Sequence, residues 1–222
     1  MDSSTRLLFG PEWDLKEWTA SDDRVRGGSS VSNLTPTPDG ALFHGTLDIE
    51  TLGGAGFASQ RTVAGDKKWD LSSHDGIELR IVSSDHKRYT FSLTDEIAPR
   101  RPDGREQSAL VWEYDFCTNG KESTVRVTWK DLKPTYRGKP VKDARPLDVS
   151  QVKRFRIMAR SFFGDQQGCF SLGIRSIALF RDNYLDNPKM TQETMCYDNE
   201  KAEQSDEQVR DGKKWSLPCC LF

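Results

Sequence analysis

The chain has 222 residues, with 34 Asp and Glu against 32 Lys and Arg for a formal net charge of -2, and 35% of it is hydrophobic. That is enough apolar side chain for one core, with a wet surface and room for an unordered stretch, and β-sandwiches of this length often form a single unit. The charge balance excludes a general nucleic-acid binder, and no run approaches the roughly 18 apolar residues that a membrane-spanning helix needs.

Residues 1–20 read as an N-terminal segment with a short helix from Phe9 to Trp18, Pro11 being suited to its first turn. This segment has no charged-then-apolar signal. Asp2, Glu12, Asp14, Glu17, Asp22 and Asp23 also put carboxylates where mitochondrial transit peptides avoid them. Five cysteines, Cys117, Cys169, Cys196, Cys219 and Cys220, give an odd count with no C-x-x-C pair. Scattered thiols of this kind imply a reducing, cytoplasmic setting. Cys117 and Cys169 fall in apolar runs and read as small core residues.

Beyond this segment, alternation with a period of two dominates. It predicts strands at residues 41–47, 56–62, 77–82, 88–93, 110–117, 123–129, 155–160 and 169–180. Turn chemistry separates them at Pro38-Asp39-Gly40, Asp75-Gly76, Ser84-Asp85, Asn119-Gly120 and Gly164-Asp165. Many short strands between turns predict an all-β jelly-roll sandwich over residues 21–182. Ile77, Leu79 and Ile81 share one side, as do Tyr89, Phe91 and Leu93, Phe155 and Ile157, and Phe170, Leu172 and Ile174. The intervening positions carry Glu78, Arg80, Arg88, Arg126, Arg154, Arg156 and Arg175, so the face turned from the core is polar and arginine-rich. Two readings of that face stand side by side: a solvated surface, or a concave one that docks a polar or acidic partner.

From about Arg181 the alternation stops, and residues 183–222, rich in Asp, Glu, Gln and Asn, read as a disordered tail. The last four residues, Cys219-Cys220-Leu221-Phe222, fit the C-a-a-X form, with Cys219 as the candidate site for a geranylgeranyl chain. Lys213 and Lys214 would add weak attraction to anionic lipid. One prenyl chain anchors marginally, so the expectation is peripheral membrane contact that needs a second signal.

No catalytic constellation stands out. His44, His74 and His86 lie in separate segments without metal-ligand spacing, so no metal site is expected. Gly54-Ala55-Gly56-Phe57-Ala58-Ser59 approaches the dinucleotide-binding glycine pattern, but that pattern opens a helix, and Phe57 to Thr62 alternates as a strand. There is no nucleophile elbow and no P-loop, and no cofactor is expected. The carboxylate pairs Asp22-Asp23 and Asp95-Glu96 fall in loops and read as turn or cap features. Gly27-Gly28 and Gly53-Gly54 suit positive φ or close backbone approach, and Asp22 and Asp23 are placed to accept backbone N–H bonds and brace their loop.

Several segments together resemble the complex I intermediate-associated protein 30 family. They are Asp22-Asp23-Arg24-Val25-Arg26-Gly27-Gly28-Ser29-Ser30, Ala41-Leu42-Phe43-His44-Gly45-Thr46-Leu47 and Gly53-Gly54-Ala55-Gly56-Phe57-Ala58-Ser59-Gln60-Arg61. Asp75 through Arg80, Arg88-Tyr89-Thr90-Phe91, Trp129-Lys130-Asp131-Leu132 with Arg137-Gly138, and Ile174-Arg175-Ser176-Ile177 continue the series. The resemblance implies a galactose-binding-like β-sandwich. It also implies a non-catalytic, chaperone-like factor that holds protein subunits while mitochondrial NADH:ubiquinone oxidoreductase is assembled. A mitochondrial location would follow from it, against the poor import signal. Kinship of the fold with carbohydrate-binding modules does not by itself license sugar binding.

The candidate partner-binding residues are Arg26, Gln60, Arg61, Arg88 and Arg137, because the guanidinium presents planar, multi-donor contacts to carboxylates and amides. Three functions are carried forward. The first is a scaffold that binds other proteins through the polar face. The second is a glycan or small-molecule module using Trp112 or Trp129 as a stacking platform. The third is an enzyme with an unrecognised cleft. Burial of the two tryptophans argues against the second, and a pocket of convergent ionisable groups argues for the third.

Overall fold

The computed structural model describes residues 5–63, 67–102, 104 and 106–182. The expected tail and Cys219 lie outside the described residues.

Two antiparallel sheets make the molecule, as the alternation requires. One contains β3 (Val31–Thr37), β4 (Gly40–Leu47), β13 (Gly168–Phe180), β6 (Gly76–Ser84) and β9 (Ser123–Thr128) in that order, with β1 (Thr5–Phe9) paired to the later part of β13. The other runs β11 (Lys139–Pro140), β10 (Lys133–Tyr136), β8 (Val111–Cys117), β7 (Arg88–Thr94), β12 (Arg154–Arg160), β5 (Phe57–Thr62), β2 (Trp18–Ala20). Their inner faces close on one core. Phe9, Trp18, Trp69, Phe91 and Phe155 gather in ring contact at one end, and Phe43, Tyr89, Phe116 and Phe170 at the other. Rings of this size supply much of the buried area that holds two sheets together.

Tyr89 ties the layers with its polar tip. Its hydroxyl donates to Asp85 at 3.0 Å and accepts from the Ser171 amide at 3.1 Å, so a residue of one sheet is bonded to the rim of the other. Burial and the neighbouring Asp85 carboxylate push the phenol well above its ordinary pKa, and it stays a donor.

The N-terminal segment departs from the expected helix. The chain ends β1 at Phe9, passes a cis Gly10–Pro11 bond, makes one 3-10 turn at Leu15–Glu17 capped by Asp14, and enters β2 at Trp18. Phe9 and Trp18 are 6% and 7% exposed and meet edge to face at 5.0 Å. Burying both rings from two strand ends outweighs local helix propensity. Trp13 completes the turn by donating its indole N–H to the Arg175 carbonyl at 3.0 Å. Cys117 and Cys169 also differ from expectation: both are half-buried near strand ends, outside the core.

The arginine-rich face as a candidate functional site

The charged positions divide between two opposite outer faces. On the six-stranded sheet, Glu78 is 3% exposed and takes Arg80 Nε at 2.9 Å and Arg126 Nε at 2.8 Å. Burial pulls its carboxyl upward, but the two guanidinium bonds outweigh this and leave its pKa below the usual range. Arg175 reaches Asp39 on the same side. That face is internally paired.

The seven-stranded sheet differs. Strand register lines up a transverse row on its outer side: Thr19, Arg61, Arg156, Ser92, Glu113 and Lys133, one from each of β2, β5, β12, β7, β8 and β10. The period of two in β12 also sends Arg154, Met158 and Arg160 outward. Glu106, from the loop between β7 and β8, lies over the row. Its carboxylate takes both Nη atoms of Arg61 and, at 3.1 and 3.5 Å, both of Arg154. The Arg61 bonds, with help from Arg154 and against burial, push Glu106 down to about 2. Arg160 bridges to Glu113 at 3.0 Å and to Asp115 at 2.6 Å, and Asp115 also accepts from Thr90.

Arg156, at the centre of the row, forms no hydrogen bond or ion pair among the described residues, and its Nε is buried without a partner. Burial first, then repulsion from Arg61 and Arg154, lowers its pKa to about 10. The hydroxyl of Ser92, opposite it in register and 1% exposed, is also buried without a partner. The face is therefore polar but far from fully wet. Thr90, Ser92 and Thr94 are closed off from solvent.

The predicted residues fall unevenly on this surface. Arg61 is in the row. Arg88 lies at its edge, donating to Asp165 at 3.1 Å, with its guanidinium 3.5 Å from the centre of the Phe162 ring; Arg160 approaches the same ring at 4.6 Å. Arg26 is exposed on the rim over Phe57, and Arg137 stands at the β10–β11 turn, bonded to Ser108. Gln60 is not on the face: it points into the sandwich, 5% exposed, and its amide donates to the Ser32 carbonyl and hydroxyl. Arg154, Arg156 and Arg160 were visible in the alternation of β12, but nothing in the sequence pattern singled out Glu106 or Ser92.

Asp22 and Asp23 are structural, whereas Asp95 and Glu96 line a cavity of convergent charged groups, the feature that favours the enzyme reading. Asp22 accepts from the Ser32 amide and hydroxyl and the Ser59 amide; Asp23 accepts from the Ser30 amide and hydroxyl and the Phe57 amide. They brace the loop as its residue types implied. Asp95 takes Arg145 at 2.5 and 2.7 Å and the Asp148 amide at 2.8 Å, beside a cavity of about 280 Å³ lined also by Glu96, Gln151 and Lys153. Trp112 is 7% exposed, and Trp129 packs on the core with its N–H on the His74 carbonyl at 2.7 Å. Trp112 offers no open ring for stacking, and Trp129 is half-buried.

The family model described as "Complex I intermediate-associated protein 30" matches residues 7–174. The chain belongs to that family. A relative from Schizosaccharomyces pombe, described as uncharacterised, is 45% identical over 186 residues, covering 80% of this chain and 84% of its own. Among solved structures, a family 11 carbohydrate-binding module from Clostridium thermocellum in complex with a β-1,3-1,4-mixed-linked tetrasaccharide aligns with a TM-score of 0.56 at 13% identity. That alignment covers 82% of this chain and 98% of the module. The same family's module from the cellulase Lic26A-Cel5E gives 0.53 at 14% identity, with coverage of 82% and 96%. At such identities the likeness is one of fold: the family member shares the galactose-binding-like sandwich with these modules.

Proposed function

We propose that this family member is a non-catalytic holding factor that grips partner proteins through the outer face of its seven-stranded sheet, in the manner of a respiratory complex I assembly factor. The observation that carries the reading is Arg156, a guanidinium held without a partner at the centre of a charged, strand-built row. The residue is half-buried with its Nε closed off, and a surface kept only for solubility has no reason to retain such a group, because even partial burial of an unpaired charge is costly. The family description, which speaks of association with complex I intermediates, supports taking subunits of those intermediates as the clients. The burial of Trp112 supports protein rather than glycan as the ligand, since sugar recognition would use an open aromatic platform.

The test is complementation. In cells lacking the protein, complex I intermediates should stall on native gels; wild type should restore them, and Arg156→Glu should not, although it folds. Normal complex I assembly without the protein overturns the reading. Calorimetry with a mixed-linkage tetrasaccharide is expected to show no binding, and saturable heat there would favour the glycan module instead.

A further inference from the structure

The cations on the row are unequally satisfied. Arg61 and Arg154 share Glu106, and Arg160 has Glu113 and Asp115. The chain's own carboxylates are thus committed on either side of Arg156. The buried Nε atoms of Arg61, Arg154, Arg156 and Arg160 all lack a partner, but Arg156 alone of the four has none at its Nη atoms either among the described residues, and the Ser92 hydroxyl beside it in register is also unbonded. The Ser92 hydroxyl can accept as well as donate, yet it takes no Arg156 N–H, so the guanidinium keeps its donors for an acceptor from outside the chain.

We infer that the Arg156 guanidinium is a receptor for one carboxylate from an acidic segment of a partner protein, with Glu106 serving as the chain's own carboxylate in the neighbouring Arg61–Arg154 fork. This rests on the holding function proposed above and names the chemistry of what is held. A carboxylate fits for three reasons. The fork of a guanidinium matches its two oxygens. The same recognition is already made next door, where Glu106 engages Arg61 and Arg154. The charge also suits an anion: Arg61, Arg100, Lys133, Arg154, Arg156 and Arg160 outnumber Glu106, Glu113 and Asp115 around the row, and a carboxylate sets one negative charge beside Glu106 and Glu113 where a dianionic phosphate would set two. The lowered pKa of Arg156 is consistent with a cation waiting for that charge.

Full-length protein is titrated in low salt with a short Glu-Gly repeat peptide, its Gln-Gly counterpart, acetate and inorganic phosphate. The Glu peptide should bind wild type and lose about tenfold or more on Arg156→Gln, the scale of one charge-assisted bond. Arg156→Lys should fall between, because it keeps charge without the fork. The Gln peptide should not bind, and acetate should bind only weakly, since it lacks the segment. Equal affinity for Glu and Gln peptides, an Arg156→Gln variant that binds as well as wild type, or phosphate binding tighter than the Glu peptide overturns the inference. Side-chain Nε–Hε signals of wild type give an answer independent of any variant: the Arg156 signal should move with the Glu peptide, and a stationary signal overturns the site. Complex I rescue without acidic-peptide binding would sink this inference alone; peptide binding without rescue would sink only the holding role.

Discussion

Glu106 and Arg156 pull stability in opposite directions. Glu106 titrates near 2 in the folded chain against an ordinary 4.5, which corresponds to roughly 3 kcal/mol of stabilisation at neutral pH. The contribution is complete above 4.5 and disappears as pH falls toward 2. Replacing Glu106 with Gln is therefore expected to lower the unfolding free energy by roughly 2–3 kcal/mol at pH 7, with the difference from wild type narrowing between pH 4.5 and 2 in urea titrations. Arg156 has the reverse sign. Burial and the neighbouring cations hold its guanidinium below the ordinary arginine range, to about 10, which costs stability at every pH below that value, and the cost eases only as pH climbs above it. Arg156→Met should accordingly stabilise the protein, by about 1–3 kcal/mol in the same titrations at pH 7, while removing partner binding. A variant no more stable than wild type would mean that the guanidinium is satisfied in solution.

At the scale of elements, Asp22 and Asp23 do what strand pairing alone does not. Asp23 holds the Ser30 and Phe57 amides at 3.1 and 3.0 Å, tying its loop to the approach to β3 and to the start of β5. The packing leaves no slack: a Cβ on Gly28 would lie 2.3 Å from the Asp23 carboxyl group. Asp23→Ala would strand the Ser30 and Phe57 amides while the Ser30 hydroxyl keeps its Asp48 partners, so a loss of roughly 2–3 kcal/mol is expected. Faster amide exchange at Ser30 and Phe57 should accompany it, and slow exchange there would disprove the brace. Such a role was legible because short acidic residues in a glycine-bearing loop have few other uses. The strands of β7, β12 and β13 were legible too, since large apolar residues at every second position leave one parity possible. Residues 57–62 were not so clear. Phe57, Ser59 and Arg61 alternate with Ala58, Gln60 and Thr62, two sets of similar polarity, and only the register with β12 shows that Gln60 points inward and Arg61 outward. The same weakness hid β3, whose Pro36 is tolerated because the strand lies at an edge of its sheet. Glu106 belongs to no periodic segment, so its place over the arginines follows from tertiary structure alone.

For the molecule as a whole, the two outer faces are an internal control for each other. Both carry arginines at alternate strand positions, and composition does not distinguish them. The difference lies in pairing: Glu78 satisfies Arg80 and Arg126 on the six-stranded sheet, whereas Arg156 is left over on the seven-stranded one. If pairing rather than charge decides function, breaking the first face should affect folding only. Arg126→Gln removes one of two cations from a carboxylate that is 3% exposed, so stability should fall by about 1–2 kcal/mol while acidic-peptide affinity and complex I rescue stay at wild-type levels. Arg156→Gln should show the opposite pattern, with stability equal or raised and binding lost. Measuring melting and peptide affinity for both variants separates the two effects. Were Arg126→Gln to weaken binding as much as Arg156→Gln, partners would be responding to the overall field of the protein, and the leftover guanidinium would have no special standing.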